Sequence, residues 1–159
     1  MAVYYFDSSA VVKLYLAEPG SQWIEQIAEP KNASQAAENL IVFAIIAIAE
    51  TAAAISRHYR RGFLTEEKRQ ILYHQFMRDH PGRFTQLAIT DDIVHNAADL
   101  TQEFTLHGYD AVHLASALSY DHLLKTEARE ALIFVTADEI LYQAAQTAGL
   151  IVENPNNHA

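Results

Sequence analysis

The chain has 159 residues, half of them hydrophobic, with no cysteine and with 11 Lys+Arg against 20 Asp+Glu, a formal net charge of −9. That length suits one domain, expected over residues 1–159, and the missing cysteines exclude disulfides, thiol nucleophiles and Cys-ligated zinc. The acid excess argues against a non-specific nucleic-acid coat, whose affinity comes from neutralising phosphates, but not against an enzyme that keeps its acids in one cleft.

The N-terminal MAVYYFDSSAVVK lacks the basic region and long apolar core of a signal peptide. The longest uncharged apolar run, Leu40 to Ala49, is half the roughly 20 residues a membrane helix needs. No membrane association and a cytoplasmic location are expected, in keeping with the absence of cysteine.

In chain order, Val3-Tyr4-Tyr5-Phe6 reads as a short buried strand ending in Asp7-Ser8-Ser9. A short helix is expected from Ser9 through Leu16, with Ser8 or Ser9 as its N-cap, stopped by Glu18-Pro19-Gly20. Ser21 then caps a helix to Ala28, and Leu40–Phe43 reads as a second strand. Ala44–Arg60 is predicted as helix because Ile48, Ala52, Ile55 and Tyr59 recur on one face of a 3.6 period, with Gly62 as the C′ residue.

Thr65 opens a helix to about Asp79, Phe84–Ile89 reads as a strand, and Thr90 opens a helix to about His107, closed by Gly108. Helix is expected over Tyr109–Leu124, and the uniformly apolar Leu132–Thr136 reads as a strand buried on both faces. A helix over Glu139–Ala148 and a last strand, Leu150–Val152, complete the pattern. Strands separated by helices predict an α/β fold in three layers, α/β/α, with a central, mainly parallel sheet.

In such sheets, functional groups collect past the C-terminal ends of strands. Asp7 and Asp138 are expected there, whereas Glu50 and Asp110 fall in early turns of apolar helices, where an acid is unusual unless paired, exposed or liganding a cation. Singly, each has a plain alternative: Asp7 and Asp138 as caps, Glu50 as a solvent-facing residue, Asp110 as an acid favoured by a helix N-terminus.

The words around the acids carry more. FDSSAVVKLYLAEPGS, AIAETAAAISRHYRRG, GYDAVHLASAL and FVTADEILYQAAQTAGL, in that order along the chain, resemble the motifs of PIN-domain ribonucleases. The resemblance puts Asp7, Glu50, Asp110 and Asp138 on the family's acidic, metal-holding positions. It puts Ser9 and Thr136 on the hydroxyl positions beside the first and last acids. One departure is Ala44-Ile45-Ile46-Ala47, where the family often has Ser or Thr ahead of the internal Glu.

The resemblance implies a PIN-like fold and Mg²⁺- or Mn²⁺-dependent hydrolysis of RNA. Small stand-alone members are commonly toxins, held inactive by a cognate antitoxin protein and often forming homodimers. The chemistry agrees with the residue types: carboxylate oxygens hold a hard divalent cation that acidifies water and spreads charge on a phosphate. Without a cation, like charges about 4 Å apart repel by roughly 4 kcal/mol at an effective dielectric of 20.

Arg57, Arg60 and Arg61 are weaker candidates for RNA contact, since basic residues also answer the dipole at a helix C-terminus. His107, His113 and His122 lack the i, i+4 spacing of a zinc-binding helix, and His113 reads as a satisfied helix residue. Two alternatives remain open. One is a catalytically silent PIN-like module that binds RNA or protein; the other, disfavoured by Ser9 two residues after Asp7, is a metal-dependent phosphatase of the haloacid-dehalogenase kind.

Overall fold

A computed structural model describes residues 2–29 and 39–158. Five strands, β1 (Ala2–Phe6), β2 (Asn39–Ala44), β3 (Thr85–Leu87), β4 (Ile133–Val135) and β5 (Ile151–Glu153), form one sheet in the order β3-β2-β1-β4-β5. Every pairing is parallel, with Tyr5 opposite Val42 on one side and Phe134 on the other. The chain builds outward from β1 through β2 to β3, then returns to place β4 on the other side of β1. The sheet therefore reverses direction between β1 and β4, and the crevice that such a reversal leaves at the C-terminal strand ends is where open α/β sheets hold ligands.

The layers follow from period-two alternation along the strands. Phe6, Ile41, Phe43 and Val135 face one core with α1 (Ser8–Val12), α2 (Ser21–Ala28), α3 (Ile46–Arg60) and α4 (Glu66–Arg83). Val3, Tyr5, Val42, Ala44 and Phe134 face a second core with α6 (Gly108–Thr126) and α7 (Glu139–Thr147). Helix α5 (Asp91–Glu103) is attached through a smaller cluster in which Ile93 and Ala97 meet Ala111 and Ala115 of α6. This is the expected three-layer α/β/α arrangement, and none of its helices is long and apolar enough to cross a membrane among the described residues.

Several local expectations shift. The N-cap of α1 is Asp7, whose side chain accepts from Ala10 N–H, in place of Ser8 or Ser9, and the helix proper ends at Val12. Gly20, in the left-handed region at φ 82°, precedes α2, while the Ser21 hydroxyl turns back to Leu16 and Glu18. Helix α4 runs past Asp79 to Arg83 with Pro81 inside its last turns. Strand β3 is three residues long, and α5 stops at Glu103, so that Gly108 opens α6 instead of closing α5. Gly62 is the C′ residue expected: its N–H reaches Tyr59 and that of Phe63 reaches His58, the paired bonds of a Schellman stop.

Gly20 and Gly62 share a left-handed backbone but not an environment. A Cβ at Gly62 would meet open space, whereas one at Gly20 would run into the backbone carbonyl of Pro155 at the C-terminal 3₁₀ turn. Gly62→Ala should cost about 1–2 kcal/mol, the left-handed penalty alone. Gly20→Ala should cost clearly more, read as a larger drop in urea midpoint at unchanged slope. Equal midpoints would mean that α2 does not sit against that turn.

Candidate active site

Asp7 follows β1 and is buried, with 3% of its surface exposed. Three groups satisfy its carboxylate. Oδ1 accepts from Ser9 Oγ at 2.6 Å and from Ala10 N at 2.9 Å, and Oδ2 accepts from Thr136 Oγ1 at 2.6 Å. The two hydroxyls also accept: Ser9 Oγ from Ala137 N at 2.8 Å, and Thr136 Oγ1 from Asp138 N at 3.1 Å. Each hydroxyl has one hydrogen and gives it to Asp7, so the loops after β1 and β4 are stitched through the same carboxylate. Ser9 and Thr136, singled out beside the first and last acids, are positioning residues for Asp7.

Asp138 is the N-cap of α7, with Oδ1 accepting from Leu141 N at 2.9 Å, so its plain reading as a cap holds alongside its place at the β4 strand end. Asp110 lies in the first turn of α6 and is half-buried. Burial first, then the charges of Asp138 and Asp7, pushes its carboxyl up from the usual range. Asp7, Asp110 and Asp138 are thus within electrostatic reach of one another.

Glu50, on the second turn of α3, reaches the site differently. Its Oε2 accepts from Ser8 Oγ at 2.9 Å and its Oε1 pairs with His113 Nε2 at 2.8 Å. Burial works to raise this carboxyl, but the hydrogen bond and charge of His113, helped by Ser8, overcome it and hold Glu50 below its ordinary value. Asp7 moves the opposite way: desolvation outweighs His113, Ser9, Thr136 and Ala10, and its carboxyl sits above the usual range. The helix carrying Glu50 starts at Ile45 with no side-chain cap, as the missing hydroxyl in Ala44–Ala47 implies, and Ile45 N–H instead bonds Leu87 O at 2.9 Å.

The donors suit a hard cation, being carboxylate oxygens with no thiolate among them. Among the described residues, no three acidic or imidazole groups are gathered closely enough to enclose an ion unaided. Asp7, Asp110 and Asp138 interact through their charges, while Glu50 lines a neighbouring cleft. The weaker arginine candidates separate: Arg57 lines a cleft of about 480 Å³ with Ser8, Ser9, Glu50, His58 and Tyr109, whereas Arg60 is turned to Ser56 and neither it nor Arg61 lines that cleft. Sequence reasoning did not select Ser8 or Tyr5; His113 is satisfied, as expected, by Glu50 and Tyr5.

The raised Asp110 carboxyl sets a stability test. A group whose folded pKa exceeds its unfolded value binds protons more tightly when folded, so its ionisation costs nothing at low pH and destabilises progressively as pH rises through the folded value. Asp110→Asn should therefore raise the metal-free melting temperature at pH 7, by about 2–4 °C per kcal/mol relieved, and change it little below the carboxylate range. A lower melting temperature for this variant at pH 7 would mean that the acids do not repel one another.

No family model matches the chain. It is 28% identical to Ribonuclease VapC45 and to Ribonuclease VapC49, both of Mycobacterium tuberculosis, over 149 residues covering 94% of this chain and 93% of each relative. Among solved structures it resembles PAE2754 of Pyrobaculum aerophilum (TM-score 0.61, 16% identity, 99% of this chain and 86% of that one). It also resembles VapBC2 of Rickettsia felis (0.59, 16%, 96% and 98%) and Mycobacterium tuberculosis VapC20, a toxin that cleaves the sarcin–ricin loop (0.58, 12%, 92% and 95%). At those identities the structures establish a common fold, and the two curated relatives extend the likeness along nearly the whole sequence. The chain shares the fold of these structures and resembles the VapC ribonucleases along nearly its whole length.

Proposed function

We propose that this protein is a Mg²⁺- or Mn²⁺-dependent endoribonuclease and the toxin of a toxin–antitoxin pair. The observation that carries the reading is the buried Asp7 carboxylate at the β1–β4 reversal, held by Ser9, Ala10 and Thr136 with the charges of Asp110 and Asp138 beside it. Asp7, Asp110, Glu50 and, as a fourth, Asp138 are the residues that would hold the ion. When bound, a divalent cation supplies an acidified water and neutralises charge building on the phosphate. Ser9 and Thr136 fix the direction of Asp7, while Ser8 and His113 fix that of Glu50. The ribonuclease names of the two curated relatives support RNA as the substrate.

The cleft from Glu50 to Arg57 is read as the RNA path. Seven residues separate the two along α3, about two turns and roughly 10 Å on one helix face, which places a cation beside the acids where a flanking phosphate would lie. Tyr109, 63% exposed at the cleft edge, offers a ring for a base to stack on. The protein is read as cytoplasmic and homodimeric, with an antitoxin partner that presents an Arg or Lys to the acids. That reading draws on the same fold in the toxin–antitoxin complexes of Rickettsia felis and Klebsiella pneumoniae.

Asp7→Asn, Glu50→Gln and Asp110→Asn should each slow Mn²⁺-dependent RNA cleavage about 100-fold or more, the loss of several kcal/mol of charge stabilisation, with the fold retained. Asp138→Asn should do less. Wild-type rates in all three would refute the assignment, and turnover of a chromogenic phosphomonoester instead of RNA would favour a phosphatase. Arg57→Ala should weaken RNA binding and reduce the slope of log K against log salt by about 1, whereas Arg60→Ala should leave both unchanged. Expressed alone, the wild type should arrest growth and Asp7→Asn should not; equal arrest by both would separate toxicity from cleavage.

A further inference from the structure

Behind Glu50 runs a hydrogen-bonded chain that crosses from one helical layer to the other. His113, one turn along α6 from Asp110 and 1% exposed, meets Glu50 of α3 through Nε2. Its other nitrogen, Nδ1, lies 2.9 Å from the hydroxyl of Tyr5, and that hydroxyl accepts from Ala44 N at 3.3 Å. Tyr5 belongs to β1, is fully buried, and is stacked on Phe134 with centroids 5.3 Å apart, so its ring is fixed. Burial pushes its phenol far above the usual range, and it keeps its proton at any working pH.

Ala44 N–H points at the same phenol oxygen, and Tyr5 Oη and Glu50 Oε1 hold the two ring nitrogens of His113 and fix its plane. An ionised Glu50 carboxylate can only accept, so His113 Nε2 carries a hydrogen and donates it to Glu50 Oε1. We propose that Tyr5 and His113 are positioning residues that orient the Glu50 carboxylate toward the cation site, with Tyr5 acting through the orientation of the His113 ring. The inference rests on the reading of Glu50 as a residue that faces the cation. Ser8 holds the second oxygen, so both oxygens of Glu50 are fixed on the α3 side, while Asp7 follows β1, Asp110 lies on α6 and Asp138 caps α7. Outer partners that fix a ligand in this way commonly change metal affinity 10–100-fold.

The test is the Mn²⁺ dissociation constant, read from the signal of free Mn²⁺ by electron paramagnetic resonance, in wild type, Tyr5→Phe, His113→Leu and His113→Gln, each with Glu50 or Glu50→Gln. Tyr5→Phe removes one oxygen and keeps the stacked ring, so it folds even if His113→Leu does not. His113→Leu should weaken binding about 10-fold or more, and Tyr5→Phe should act in the same direction by less. His113→Gln, whose amide N–H replaces Nε2–H, should restore most of the affinity. In the Glu50→Gln background, neither Tyr5→Phe nor His113→Leu should weaken binding further; a purely structural role would weaken both backgrounds alike.

If Glu50→Gln weakens Mn²⁺ binding but Tyr5→Phe does not, or does so equally without Glu50, the positioning role is overturned while the site stands. If Glu50→Gln binds Mn²⁺ as well as wild type, or wild type binds none, the reading of Glu50 fails and the inference with it.

Discussion

The constraint on which the rest of this structure depends is the burial of one carboxylate, Asp7, at the end of the central strand. Desolvation is the largest influence on it and favours the neutral acid. Four opposing influences favour the charge: the nearby His113, the Ser9 and Thr136 hydroxyls, and the Ala10 N–H. The balance leaves Asp7 harder to ionise than a free carboxyl, and a cation is the natural complement to what the hydrogen bonds leave unmet. Those bonds also dictate local structure. Asp7 becomes the cap that starts α1, and Ser9 and Thr136, by bonding it, lock the β1 and β4 loops together across the sheet reversal.

Around that anchor, each further acid arrives on a different element. Asp110 comes from α6, Asp138 caps α7, and Glu50 leans in from α3 through His113. The Glu50–His113 bond links α3 of one helical layer to α6 of the other. A divalent ion held by these acids would keep waters in its shell and leave room for a phosphate oxygen, both of which hydrolysis of a phosphodiester requires.

Much of this was legible in the sequence because it is written in short-range pattern. The β-branched and aromatic run Val3–Phe6 and the apolar run Leu132–Thr136 mark strands, and the acid after each marks its C-terminal end, so Asp7 and Asp138 could be placed from the sequence. Local chemistry was less decisive where several residues qualify equally. Asp7-Ser8-Ser9 offers three consecutive capping side chains, and only the fold shows that Asp7 caps while Ser8 and Ser9 turn to Glu50 and Asp7. Gly108 reads as a stop and proves to be a start, since glycine is compatible with both ends of a helix. The Tyr5–His113–Glu50 chain was out of reach: its members lie 108 and 63 positions apart, and no periodicity reports a contact across that span.

The most direct measurement is anomalous scattering from crystals soaked in MnCl₂. A peak should appear at the C-terminal edge between β1 and β4, with an Asp7 oxygen about 2.1 Å from the ion and Asp110 in its shell directly or through water. Manganese bound elsewhere, with the Ser9, Ala10 and Thr136 bonds to Asp7 unchanged and no density beside it, would contradict this account.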